Sequence, residues 1–134
     1  MDVAVELVDE RLARGPSSGY EFVFAEEDGE TVGYACFGPI ALTQGSFDLY
    51  WIAVEKERQG CGLGRRLLEE SERLMAAAGG RRVYIETSGR DVYEPTRSFY
   101  LRRGYRVAAV LRDFYAVGDD KVIFVKEFAA RSSE

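Results

Sequence analysis

Gly60, Gly62 and Gly64 recur at alternate positions directly after an apolar run that closes with Ile52-Ala53-Val54. A helical pattern follows them: Leu63, Leu67, Ser71, Leu74, Met75 and Ala78 share one face at helix spacing. Glycine has no Cβ, so a ligand can come close to the backbone there. The first turn of a helix also carries N–H groups without intrahelical partners, at the positive end of its dipole. Together these make an anion site suited to phosphate. Arg58, Arg65 and Arg66 add positive charge beside it in a chain whose net charge is −5.

The loop is not a nucleotide P-loop, because Gly64 is followed by Arg65-Arg66 rather than Lys-Ser/Thr. It also departs from the dinucleotide fingerprint, G-x-G-x-x-G, reading G-x-G-x-G. The chain has no histidine. That removes Ser-His-Asp and Cys-His nucleophile systems and the usual zinc and non-haem iron sites. Proton transfer therefore falls to carboxylates, tyrosine, lysine, cysteine or water.

At 134 residues the chain is expected to form one domain, 1–134, with a single core. Its negative charge argues against a general nucleic-acid binder. No apolar run approaches the ~20 residues that span a membrane. The start, MDVAVELVDE, is acidic and amphipathic rather than a signal peptide. Cys36 and Cys61 make neither a disulfide framework nor a metal cluster. A cytoplasmic protein is the resulting expectation.

The elements that position the glycine loop can be read in order. The spacing of Val3, Leu7, Val8 and Leu12 predicts an amphipathic helix over Val3 to Arg14, ended by Gly15-Pro16. Strands are expected at Tyr20–Ala25 and Thr31–Phe37 around an Asp28-Gly29 hairpin turn, and at Phe47–Val54. The helix after the glycine loop ends at Gly79-Gly80. Then come a strand at Arg82–Thr87, a polar loop, and a short helix from Pro95 to about Arg103. Strands at Tyr105–Leu111 and Lys121–Phe128 flank a loop over Asp113–Asp120, and 129–134 reads as a frayed tail. The fold class is α+β, a mixed and mostly antiparallel sheet flanked by helices, with one parallel crossover through the long helix.

This order resembles the GNAT acyltransferase superfamily over nearly the whole chain. Three stretches carry the resemblance: I-A-V followed by Q-x-x-G-x-G at Gln59–Gly64, V-Y-I-E-T at Val83–Thr87, and S-F-Y-L-R-R-G-Y at Ser98–Tyr105. The departure is at the N-terminus, where the family's usual first strand is missing from this reading. Its absence would expose the edge at Tyr20–Ala25 and is compatible with a homodimer.

The resemblance implies acetyl-CoA as cosubstrate and no metal. Ile52, Ala53 and Val54 would meet the pantetheine arm, with the backbone of Ile52 and Val54 pairing to it like an added strand. Gln59, Gly60, Cys61, Gly62, Leu63, Gly64 and Arg65 would hold the pyrophosphate, Cys61 only as a small side chain. Tyr100 would protonate the leaving thiolate, which suits a phenol of pKa ~10 facing a thiol of ~8.5. Glu86 is the candidate base and Asp48 the reserve. Where many relatives carry an asparagine, spacing from Tyr100 gives Tyr93. Tyr50, Trp51 and the acidic 113–120 segment are candidates to border the acceptor site, the acidic residues suiting a cationic amine.

The expected activity is acetyl transfer to a primary amine by direct attack, the acceptor being a small amine or a peptide N-terminus. A ribosomal-protein-type N-terminal acetyltransferase, a non-catalytic CoA-binding sensor or subunit, and a different nucleotide binder are the alternatives.

Overall fold

Asp28 and Gly29, both at positive φ (52° and 82°), turn the chain between the strands Glu21–Glu27 and Glu30–Pro39 of a meander. The computed structural model describes residues 6–11 and 19–128. Along the chain the elements are β1 (Glu6–Arg11), β2 (Glu21–Glu27), β3 (Glu30–Pro39), β4 (Ser46–Val54), α1 (Leu63–Ala77), β5 (Arg82–Ser88), α2 (Glu94–Arg102), β6 (Arg106–Ala116) and β7 (Asp119–Glu127). The strands form one sheet in the order β1-β2-β3-β4-β5-β7-β6. Only β4 and β5 pair in parallel, joined through α1 as the crossover rule requires.

The α1 helix packs across β2, β3 and β4. Its buried Leu63, Leu67, Leu68 and Met75 meet Val23, Ala25, Ala35, Phe37 and Leu49 in the core. Gly33 makes this close: a Cβ there would lie 3.0 Å from the Ala53 carbonyl and 3.2 Å from Leu67. Ser71 stays on the buried face because its hydroxyl donates to the Leu67 carbonyl at 2.8 Å.

Two expectations are corrected. The segment read as a helix over Val3 to Arg14 contains β1, paired antiparallel with β2 from Glu6↔Glu26 to Arg11↔Glu21. The first strand is therefore present, and the edge at Tyr20–Ala25 is covered; residues 1–5 and 12–18 lie outside the described residues, as does the 129–134 tail. The loop over Asp113–Asp120 is instead the end of a hairpin, β6 reaching Ala116 and β7 starting at Asp119.

A polar knot joins α1 to β7 and to the end of α2. Glu72 accepts from the Tyr105 hydroxyl at 2.7 Å and from Lys126 Nζ at 3.0 Å, and Lys126 also donates to the Arg103 carbonyl. Glu72 and Lys126 are largely shielded from water, so removing one partner strands the others. Glu72→Ala is expected to lower unfolding free energy by about 2 kcal/mol, and Tyr105→Phe by less, in chemical denaturation.

Candidate active site

The site begins with a defect in the sheet. On β4 the register jumps from Cys36↔Trp51 to Phe37↔Leu49, which leaves Tyr50 as an extra residue in a bulge. A bulge bends its strand and increases its twist. Accordingly β4 and β5 pair only over Ser46–Asp48 and Arg82–Tyr84, while β5 continues along β7 as far as Ser88. Beyond Asp48 the two parallel strands splay into a cleft.

The backbone alternation fixes what that cleft offers. Glu55 N–H donates to the Val32 carbonyl at 2.8 Å. Counting back by twos, Ala53 and Trp51 also face β3, so the N–H and C=O groups of Ile52 and Val54 face the cleft. The Val54 carbonyl, on that side, accepts from Gln59 Nε2 at 3.1 Å. Of the expected strand contacts, the Ile52 backbone and the Val54 N–H are thus open to pairing, the Val54 carbonyl is shared with Gln59, and Ala53 is turned away.

Next comes the glycine loop. Gly62 caps α1 in the left-handed region at φ 85°, with no side-chain cap. The first intrahelical bond is Arg66 N–H to the Gly62 carbonyl, so the N–H groups of the first turn stay open. Nothing lies within 4 Å of a Cβ built on Gly60 or Gly62, an open cradle, whereas Gly64 packs on Phe99 at 3.6 Å. Arg65 is exposed beside it. Arg58 does not join this site: its guanidinium pairs with Glu27. The Cys61 thiol donates to the Arg58 carbonyl and closes the turn.

The other wall is α2. Arg97 Nη1 donates at 2.8 Å to the carbonyls of both Ser88 and Arg90, tying the helix to the end of β5. Tyr100 is 5 % exposed, its ring against Phe99, Tyr105 and Phe124. Its hydroxyl has no hydrogen-bond partner among the described residues, and burial pushes the phenol up to about 12.

Two cavities meet at this tyrosine. One, about 430 Å³, runs past Ile52, Val54, Gln59, Gly60, Gly64 and Phe99. The other, about 490 Å³, is bordered by Tyr50, Trp51, Glu86, Tyr93, Tyr115 and Asp119. Ile52, Thr96 and Tyr100 line both. A recess of about 170 Å³ adds Asp48 beside Tyr50, Glu86 and Tyr115.

Glu86 reaches the second cavity but is half exposed and ion-paired to Lys121 at 3.0 Å. Lys121 also lies over the Phe114 ring at 4.3 Å. Asp48 has no such partner among the described residues. Burial pushes its carboxyl above the usual range, Glu86 adds to that, and Lys121 offsets part of it. Lys121, Thr96 and Arg97 were not singled out from the sequence, since their roles depend on contacts across elements.

An open strand edge, a helix-start anion cradle and a buried phenol between two cavities define an acyl-CoA N-acyltransferase fold. The Acetyltransferase (GNAT) domain model matches residues 18–107, and the chain belongs to that family. A crystal structure of a GNAT-family protein from Desulfovibrio desulfuricans is 39 % identical with a TM-score of 0.88, covering 94 % of this chain and 100 % of that one. An uncharacterized N-acetyltransferase of Methanocaldococcus jannaschii is 32 % identical over 107 residues, 79 % of this chain and 65 % of that protein. The 5-NmdU N-acetyltransferase of Pseudomonas phage PaMx11 is 34 % identical over 84 residues, 63 % of this chain and 56 % of that protein. The chain thus spans somewhat over half the length of these curated relatives. An aminoglycoside 6'-N-acetyltransferase complexed with coenzyme A shares the fold at 22 % identity, TM-score 0.75, over 86 % of this chain and 76 % of that one.

Proposed function

We propose that the chain is an acetyl-CoA-dependent N-acetyltransferase acting on a primary amine by direct attack. The observation that carries this reading is the meeting of the two cavities at Tyr100. One has the groups for a phosphate-bearing arm, the other has room for an acceptor. Family membership supports the same reading.

The residues present fit acetyl-CoA. Gly60, Gly62 and the first-turn N–H groups of α1 receive the pyrophosphate, with Arg65 beside them. Ile52 and Val54 pair with the amide groups of the arm as an added strand would. Bound there, the cosubstrate supplies an activated thioester. The amine nitrogen forms the new C–N bond as the C–S bond breaks, and the sulfur leaves with the electron pair. Asp48 takes the ammonium proton, directly or through water, because Glu86 is held by Lys121. Tyr100 donates a hydrogen bond to the departing sulfur. Much of the acceleration comes from holding the two reactants together.

Isothermal titration of the chain with acetyl-CoA, NAD and ATP, followed by a thiol-release assay with an amine panel, tests this. Binding of acetyl-CoA alone with amine-dependent release of CoA is expected. Binding without release from any amine would favour a sensor or partner subunit. Gly62→Ala is expected to raise the acetyl-CoA Kd about tenfold, since a Cβ in the left-handed region costs about 1–2 kcal/mol and shifts the cradle N–H groups. The compartment that goes with this reading is the cytoplasm, in keeping with free Cys36 and Cys61. No described helix is long and apolar enough to cross a membrane.

A further inference from the structure

We propose that the acceptor is an amine carried on a planar, aromatic ring, held between two aromatic walls of the 490 Å³ cavity. The inference rests on the acetyl-transfer reading and names the substrate class of the same site.

On one wall stand Tyr50 and Trp51, side by side at 6.2 Å between ring centroids. Trp51 is steadied from behind by Tyr34, edge-on at 6.4 Å. Both come from the bulged stretch of β4, so the irregularity that opens the cleft also presents these rings to it. Tyr93 at the start of α2 and Tyr115 at the end of β6 also border the cavity. The ring neighbours of Tyr50 and Trp51 are each other, Tyr20 and Tyr34, and Tyr115 meets Tyr50 across the adjoining recess.

Their exposure shows that they are not core: Tyr50 is 38 %, Trp51 45 %, Tyr93 44 % and Tyr115 48 % accessible. Aromatic faces left in water around a concavity favour a flat ligand or an organic cation. Polar groups share the lining with these rings: Thr87, Ser88 and Thr96 bring hydroxyls, and Glu86, Asp119 and Arg90 bring charge. Glu86, with Asp48 in the adjoining recess, supplies negative charge for an ammonium. Asp119 is held by the Ser88 hydroxyl at 2.5 Å, and Arg90 is the one cation on the lining. What marks this lining is four large rings left exposed around one concavity.

Trp51 is the only tryptophan in the chain, so its emission reports on this cavity. The experiment titrates the protein with benzylamine and with cyclohexylmethylamine, without acetyl-CoA, and then measures kcat/KM for both with acetyl-CoA. Saturable quenching by benzylamine at about tenfold lower concentration than by its saturated analogue is expected, with a matching ratio in kcat/KM. Tyr93→Leu should shrink both ratios toward one without moving the thermal midpoint. Equal responses to the two amines, or a response confined to a peptide N-terminus or an aminoglycoside, would overturn the inference. Because the fluorescence arm needs no turnover, ring preference without any CoA release would sink the acetyl-transfer reading alone. Turnover without ring preference would sink this inference alone.

Discussion

Tyr100→Phe is expected to lower amine-dependent CoA release by about 10²-fold while leaving acetyl-CoA affinity within about twofold. The substitution removes one oxygen and keeps the ring that packs on Phe99, Tyr105 and Phe124. That oxygen makes no hydrogen bond to a described residue, so the variant loses no internal partner and should unfold at the same temperature or slightly higher. Its surroundings define what it can do. A phenol pushed up to about 12 remains protonated throughout the working pH range. Complete proton transfer to a thiolate of pKa ~8.5 would be uphill by roughly 5 kcal/mol. Tyr100 therefore acts chiefly as a hydrogen-bond donor aimed at charge that develops on sulfur as the C–S bond breaks, and solvent completes the protonation. The effect belongs in kcat, because the sulfur carries little charge before the transition state. An unchanged kcat would remove Tyr100 from the mechanism and leave it a core aromatic.

Much of the frame around Tyr100 was legible in the sequence because its signals are local. The glycine spacing, the one-sided apolar face of α1 and the Gly79 stop place that helix within a residue of its observed ends. Alternation of Val83 and Ile85 with Tyr84 and Glu86 sets the faces of β5. What failed was decided at a distance. Val3, Leu7, Val8 and Leu12 suit a helix as well as any strand pattern, and β1 exists through its pairing with β2, which local spacing does not encode. The 113–120 segment looked like a loop because it is polar. There the side chains do the work of a regular ladder: Asp120 accepts from the Asp113 N–H, and Asp113 accepts from the Gly118 N–H, both at 2.9 Å. The pairing of Arg58 with Glu27 likewise spans strands, and it removed a cation that proximity in sequence had assigned to the phosphate loop. The cleft itself follows from the bulge at Tyr50, a mismatch between two strands that neither strand reveals alone.

Asp48→Asn is the second large effect: a fall in kcat/KM of about 10²–10³-fold near neutral pH. An ammonium has no lone pair to attack a thioester, so the proton must leave first. With Asp48 ionised, the charged amine can bind and be deprotonated in place. Without it, the reaction must draw on the small fraction of free amine in solution. The variant's rate should therefore climb with pH toward the amine's own pKa and recover much of the loss there, whereas the wild-type rate levels off earlier. The wild-type acid limb reports the loss of activity as Asp48 becomes protonated. Burial and Glu86 raise its pKa, so this limb lies above the ordinary carboxylate range. The groups around Asp48 give the limb a direction for each change. Glu86 of β5 raises the Asp48 pKa, and Glu86→Gln should move the limb to lower pH with only a small loss of rate. Lys121 of β7 lowers it, and Lys121→Met should move the limb to higher pH. Tyr50, which shares the recess, is raised by burial and by Asp48, so it stays neutral across this range and leaves the limb in place. If Glu86→Gln rather than Asp48→Asn abolishes the limb, Glu86 is the base. In that case its pairing with Lys121 at 3.0 Å must break before each turnover. Losing Lys121 would then speed the reaction instead of merely shifting its pH dependence, so the Lys121→Met rate separates the two assignments.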